Sequence, residues 1–250
     1  MKTKGIFVTG TDTGIGKTFV SAALLSVLRN GNIDAIPMKP VQTGCVRNGR
    51  HWLSPDLEFC LGTAGISASR QQKLLMVPYC FKKACSPHLS AGEARQKIKF
   101  RKIIDAFQSL QHDHEIVIVE GVGGVLVPID QETFVLDLMA AMALPVVLVS
   151  RAGLGTINHT LLSLRELRRA GLTVLGVIIN ETRSNSSGPG IIEKDNIKTI
   201  ERMGNVRVLA NLPHMQGLSA GDIQPELFQR YCLKHLPPVK TLIQWIDMKK

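Results

Sequence analysis

Short apolar runs and amphipathic stretches alternate along the chain. Lys4–Thr9 reads as a short buried strand. Lys17–Arg29 then carries apolar residues at Val20, Ala23, Leu24, Val27 and Leu28, which is helical spacing. Ile33–Met38 reads as a second strand. Ile116–Val119, Pro145–Ser150, Thr173–Ile179 and Val206–Ala210 are further apolar runs of strand length. Pro145 stands at the start of its run, where a missing N–H is tolerated. Helical spacing fills Phe100–Gln111, Phe134–Ala143, Ile157–Arg169 and Ile191–Met203. Strands that are apolar on both faces and alternate with helices predict an α/β fold. The sheet is doubly wound and mostly parallel, with helices on both faces. Gln42–Pro55 and Gly62–Pro78 read as long connections, and Thr182–Gly190 as a mobile Ser/Asn/Gly/Pro-rich loop. No composition break or repeat divides residues 1–250, so one domain is expected, ending in a terminal helix over 238–250.

Composition narrows the class. Apolar residues make up 44% and charged residues 20% of the 250 positions, so a core can form and a disordered tail is excluded. Mean hydropathy is +0.11. The longest apolar run, Met139–Val149, falls short of the roughly 18 residues a membrane helix needs. The apolar stretch Gly5–Val8 is far too short for a secretory signal, so a cytoplasmic protein is expected. Five cysteines without a Cys-x-x-Cys pair predict reduced thiols, with neither a disulfide framework nor a zinc site. The net charge of +10 raises nucleic-acid binding. The Lys and Arg are spread along the chain, however, and a basic surface equally suits anionic small molecules.

The chemistry is concentrated first in Phe7–Thr18, which follows a strand and opens a helix. Glycines let backbone N–H groups turn inward towards an anion, and the helix start adds partial positive charge. Lys17 would reach the β- and γ-phosphates of a nucleotide, and Thr18 would place its hydroxyl on Mg²⁺. Five residues separate Gly10 from Gly16, one more than the generic phosphate-loop pattern allows. Glu120 ends an apolar strand ahead of Gly121, Val122, Gly123 and Gly124, where a metal-binding carboxylate belongs. Lys39 ends the second strand, beside the phosphate loop, and could neutralise charge on a transferring phosphoryl group. Asp56 is ambiguous by itself, because Ser54 or Asp56 could simply cap a short helix.

Taken together, these pieces resemble the dethiobiotin synthetase family. The matching stretches are Val8–Thr18, Lys39–Gly44, Ser86–His88, Val119–Gly124, Leu154–His159 and Asn180, in family order. The longer phosphate loop is a feature of that family. The resemblance implies an ATP- and Mg²⁺-dependent enzyme that converts 7,8-diaminononanoate and CO₂ to dethiobiotin. Its route is a carbamate and a carbamic–phosphoric mixed anhydride. It implies a cradle for ATP at Thr13, Gly14, Ile15, Gly16, Lys17, Thr18 and Phe19, continued by Gly121, Val122 and Gly123. Thr18, Asp56 and Glu120 become metal ligands, and Lys39 and Lys17 catalytic lysines. Asn180, Leu212, Pro213 and His214 resemble adenine-recognition elements. Thr43 and Lys39 would touch substrate. Gly153, Leu154, Gly155, Thr156 and Asn158 resemble a loop that meets the substrate's tail across a homodimer interface. Two departures are visible: Gly14 stands where some members have Glu, and no Tyr lies between Asn180 and Ala210.

One other class fits the same core, a partition- or sorting-type P-loop ATPase acting at membrane or DNA. The segment Val239–Lys250 is amphipathic and basic at its end, as an interfacial anchor is. Against that reading, such ATPases carry a second Lys early in the phosphate loop, where this chain has Thr11 and Asp12. The dethiobiotin synthetase reading includes neither nucleic acid nor membrane as a partner.

Overall fold

In a computed structural model, residues 5–49, 51–182, 190–215 and 224–247 are described. In chain order the elements begin with β1 (Gly5–Gly10), α1 (Lys17–Asn30), β2 (Ala35–Met38), β3 (Val41–Thr43), β4 (Val46–Asn48) and β5 (His51–Leu53). There follow α2 (Pro55–Thr63), α3 (Arg70–Met76), β6 (Tyr79–Phe81), α4 (Pro87–Glu93), α5 (Phe100–Asp113) and β7 (Ile116–Glu120). The chain continues with α6 (Val135–Met142), β8 (Val146–Arg151), α7 (Thr156–Arg169), β9 (Val174–Asn180) and α8 (Ile191–Gly204). It ends with β10 (Val208–Leu212), α9 (Pro225–His235) and α10 (Val239–Asp247).

Six strands form the main sheet in the order β2-β7-β1-β8-β9-β10, and every pairing is parallel. Consecutive side chains on a strand point to opposite faces, so apolar strands feed two cores at once. Ile6, Val8, Ile116, Ile118, Val147 and Val149 pack with α1, α9 and α10. Their neighbours Phe7, Val117, Val119, Val146 and Leu148 pack with α5, α6 and α7 on the other face. The chain winds from β1 outward to β2, returns to β7, and then crosses to β8. The winding reverses at β1, and open α/β sheets bind ligands in the crevice at such a reversal.

The predicted doubly wound sheet is therefore present, with boundaries shifted at several ends. Asn205 takes a left-handed conformation (φ 42°) that ends α8, and the Val206 N–H still bonds back to Glu201. The last strand consequently begins at Val208 instead of Val206. The connections expected at 42–55 and 62–78 are built structure. β3 pairs with β6, β4 with β5, and α2 and α3 lie between them. Ser54 caps α2, with Pro55 at its first position, and Ser69 and Gln72 form a capping box on α3. Three-residue strands carry no readable periodicity, which hid this wall from pattern analysis.

The thiol expectation fails at one pair. Cys45 and Cys80, 35 residues apart in sequence, form a disulfide. Pairing of β3 with β6 sets Thr43 opposite Phe81, and the Cys45 N–H bonds the Phe81 carbonyl. That brings the two Cα atoms to 6.0 Å, within the span a disulfide requires. Cys60 and Cys232 are buried free thiols, pushed above the ordinary cysteine pKa chiefly by that burial. Among the described residues no helix is long and apolar enough to cross a membrane. Leu242 and Ile246 of α10 are buried in the core beside α1 and α9, and so are not offered to a bilayer. The expected mobile loop lies largely outside the described residues, as do 248–250 of the terminal helix.

Candidate active site

The phosphate loop is pinned from two sides. The Thr11 N–H bonds the Val149 carbonyl of β8 (3.0 Å), and the Asn180 amide at the end of β9 donates to the Ile15 carbonyl (3.0 Å). Gly16 caps α1 with φ 87°, and a Cβ there would overlap the Asn180 amide. Glycine is thus required at 16 by both backbone and space. No side chain caps α1, so its first N–H groups face the loop, the arrangement that receives anions.

Two strand ends converge beside that loop. Met38 lies opposite Val119 in the sheet, so Lys39 and Glu120, the next residues, become neighbours. The Lys39 ammonium donates to Glu120 Oε1 at 2.6 Å and to the Gly121 carbonyl at 3.1 Å, and it pairs with Asp56 Oδ2 at 2.8 Å. The Thr18 hydroxyl donates to the same Glu120 oxygen at 2.8 Å. Burial alone would push the Lys39 ammonium down, but Glu120 and Asp56 outweigh it and hold it above the ordinary lysine range. Burial also raises the Glu120 carboxyl, against the opposing pull of Lys39. Lys17 has no such carboxylate in hydrogen-bond contact. Its ammonium donates to the Asp12 carbonyl at 2.6 Å, and burial followed by repulsion from Lys39 lowers its pKa to about 8.

A cavity of about 620 Å³ opens over this cluster. Of the residues expected in the site, Thr13, Gly14, Gly16, Lys17, Thr18, Lys39, Thr43, Asp56, Glu120, Val122 and Gly123 line it. Gly121 stands just behind, with its carbonyl on Lys39. Ile15 is buried in the core, and the Phe19 ring packs edge-on against Phe228 and Tyr231. Asn180 and Leu212 end adjacent strands, followed by Pro213 and His214, and none of the four lines the cavity. The loop Gly153, Leu154, Gly155, Thr156 and Asn158 does not line it. Thr156 is buried on Ser150, whereas Leu154 is 79% exposed. Sequence reasoning missed Gln42, Ala84, Cys85 and Val127, which complete the lining. The Ser86–Pro87–His88 motif was visible, and Ser86 and Pro87 do line the cavity. Tyr231, far along the chain, donates to the Pro213 carbonyl. A second cavity of about 530 Å³, lined by Trp52, Leu57, Leu74 and Tyr79, contains none of the phosphate-loop residues.

A metal at Glu120 would meet side chains of one chemical kind. Among the described residues no three His, Cys, Asp or Glu side chains cluster. Two carboxylates and a threonine hydroxyl do converge, all hard oxygens. That set suits Mg²⁺, which keeps several waters and takes one or two carboxylates.

Parallel winding, a glycine-pinned loop at a helix start, and cationic groups in one cavity define a P-loop nucleotide-binding protein. A family of AAA domains matches residues 4–221. The ATP-dependent dethiobiotin synthetase BioD of Methanococcus vannielii is 41% identical over 204 residues, covering 82% of this chain and 90% of that protein. The protein of that name from Anoxybacillus flavithermus is 36% identical over 88% of this chain and 96% of its own length. The chain belongs to the dethiobiotin synthetase family, ATP-dependent ligases. Solved structures share its fold at low identity. The MinC:MinD cell division protein complex of Aquifex aeolicus aligns over 99% of this chain and 98% of its own, with a TM-score of 0.57 and 12% identity. A ParA family ATPase from Chlorobium tepidum aligns over 98% of both chains, with a TM-score of 0.52 and 11% identity.

Two outcomes follow from this geometry. Gly14 and Gly16 both have positive φ, but a Cβ at Gly14 meets nothing within 4 Å. Gly14→Ala should therefore cost only the backbone strain, about 1–2 kcal/mol. Gly16→Ala should cost clearly more, since it also displaces Asn180. Equal losses in chemical denaturation would show that the Asn180 contact is immaterial. The second outcome concerns pH. Lys17 binds a proton less tightly when folded, about 8 against an ordinary 10.5. Between those values the unfolded chain holds more protons, so this lysine's penalty is fully present below pH 8 and fades as pH rises towards 10.5. Relative to Lys17→Met, the wild-type protein should gain up to about 3 kcal/mol across that window. Parallel stability curves for the two proteins would contradict the buried, charged state of Lys17.

Proposed function

We propose that this cavity joins 7,8-diaminononanoate and CO₂ into the cyclic urea of dethiobiotin, with ATP giving ADP and phosphate. The observation that carries the reading is the convergence of Lys17, Lys39, Thr18, Asp56 and Glu120 in one cavity of a chain in this family. One substrate amine adds CO₂ to give a carbamate, an anion and thus a poor electrophile. Lys39, kept charged by its carboxylate neighbours, would hold that carbamate beside the γ-phosphate. Lys17 and the N–H groups at the start of α1 would hold the phosphate oxygens. Transfer of the phosphoryl group to the carbamate oxygen makes a mixed anhydride. The second amine then attacks the carbonyl carbon, a C–N bond forms, and phosphate leaves. Phosphoryl transfer asks the protein mainly for position and charge neutralisation, which these side chains supply. Thr18, Asp56 and Glu120 would hold Mg²⁺, whose chemistry is neutralisation of phosphate charge. Asn180 and the Leu212–His214 turn would take the adenine.

A cell-free assay with diaminononanoate, bicarbonate, Mg²⁺ and ATP tests this directly. Dethiobiotin should form in step with ADP, and Lys39→Ala should lower turnover by two orders of magnitude or more, roughly the weight of one transition-state charge. ATP hydrolysis stimulated by DNA or lipid, with no dethiobiotin formed, would instead favour the partition-type reading.

We further propose a homodimer with shared sites. The loop 153–158 does not line the cavity of its own chain, and Leu154 is exposed, which suits service to a second copy. Thr156 is too buried to alter safely, so Leu154→Glu is the better probe: it adds negative charge against the substrate carboxylate. Mixing it with Lys39→Ala should restore about a quarter of wild-type activity after subunit exchange, since half of the pairs carry one intact site. Absence of recovery after proven exchange would mean that each chain works alone.

A further inference from the structure

The hydroxyl of Ser54 does more than cap a helix. It accepts the Leu57 N–H at 3.1 Å, as a capping residue does. It also donates its own proton to Gln42 Oε1 at 2.6 Å, twelve residues back along the chain. Both residues are buried. The Gln42 amide nitrogen donates to the Thr43 carbonyl at 2.8 Å, which fixes the direction in which the amide faces. Gln42 lines the nucleotide-side cavity and Ser54 the second cavity, so the bond sits in the wall between them. Pro55 follows, with its fixed φ, and then Asp56, whose carboxylate meets Lys39 at 2.8 Å.

The other serine cap in this wall behaves differently. Ser69 of α3 exchanges hydrogen bonds with Gln72, within its own helix and at the exposed surface. Ser54 instead ties the start of α2 to the strand that follows Lys39. Asp56 is at the second position of that helix, so any slide or tilt of α2 moves the carboxylate directly. A hard cation with near-octahedral demands tolerates little such movement.

We propose that Gln42 and Ser54 are positioning residues, whose buried hydroxyl–amide bond sets the Asp56 carboxylate in register with Lys39 and Glu120. This rests on the reading of Asp56 as a metal ligand. The metal is best followed without turnover, by electron paramagnetic resonance of Mn²⁺ bound with ADP to the full-length protein. Asp56→Asn is the reference for a lost ligand. Ser54→Ala and Gln42→Leu should each weaken Mn²⁺ by about 10- to 100-fold, the usual weight of a group that orients a ligand. The double variant should be no weaker than the worse single one, because both remove the same bond. Ser54→Thr, which keeps a hydroxyl, should bind nearly as wild type. Ser69→Ala should lower the melting temperature while leaving Mn²⁺ affinity unchanged. Wild-type affinity in Ser54→Ala and Gln42→Leu, beside a weakened Asp56→Asn, would reduce the bond to an ordinary helix cap and overturn the proposal. Wild-type affinity in Asp56→Asn itself would remove the ligand reading of Asp56 and the proposal with it. Dethiobiotin formation by the wild-type protein would stand apart from either result.

Discussion

The arrangement depends on a carboxylate that has been taken out of water. Glu120 is only 4% exposed, at the end of a strand flanked on both sides in the sheet. An unpaired charge there is costly, and removing a partner from such a pair costs about 3–5 kcal/mol. Its partners come from separate parts of the chain. Thr18 arrives at the start of α1 and Lys39 at the end of β2. Both can arrive only if β2, β7 and β1 lie side by side in the observed register, Met38 beside Val119 and Val8 beside Glu120. The ion pair is thus a consequence of the strand order. It also makes alternative orders expensive, because each would strand a charge.

Two lysines in one cavity are driven in opposite directions by this arrangement. Lys39 has two carboxylates against it and stays firmly protonated. Lys17 is nearly as buried, yet its direct partner is a backbone carbonyl, and its proton is held less tightly. A buried ammonium without an anionic contact is an unfinished interaction. The helix-start N–H groups beside it are unfinished in the same sense. An anion in the loop would satisfy both, and loop and lysine line one cavity.

Much of this was legible along the chain, for reasons that differ by element. The six sheet strands are apolar on both faces, and α1 and α5 have clear helical spacing, so periodicity exposed them. The phosphate loop was legible because glycine, lysine and threonine have local duties at fixed spacing. Asp56 was ambiguous by local reasoning: Ser54 and Asp56 both suit a helix start. The structure divides the duties, with Ser54 capping and Asp56 turned to Lys39. The Cys45–Cys80 disulfide was misjudged because counting cysteines takes no account of which strands pair. Gln42 lay within the matching stretch Lys39–Gly44 without being singled out, whereas Ala84, Cys85 and Val127 reach the cavity through tertiary contacts that leave no local trace.

That boundary of legibility coincides with a functional one. The fold is what the chain shares with proteins only 11–12% identical, the MinC:MinD complex and the ParA family ATPase. A shared core of this kind sets where a nucleotide can sit and leaves open what receives the phosphoryl group. The cavity over the phosphate loop has further walls. They include Gln42, Thr43, Asp56 and Ala84–Pro87. These residues belong to the stretch between β2 and α5, where strands are three residues long and joined by turns, caps and one disulfide. Short, irregular segments on a rigid sheet are free to vary without loss of the core, so specificity accumulates in them. The same irregularity removes the periodic signal that sequence reading relies on.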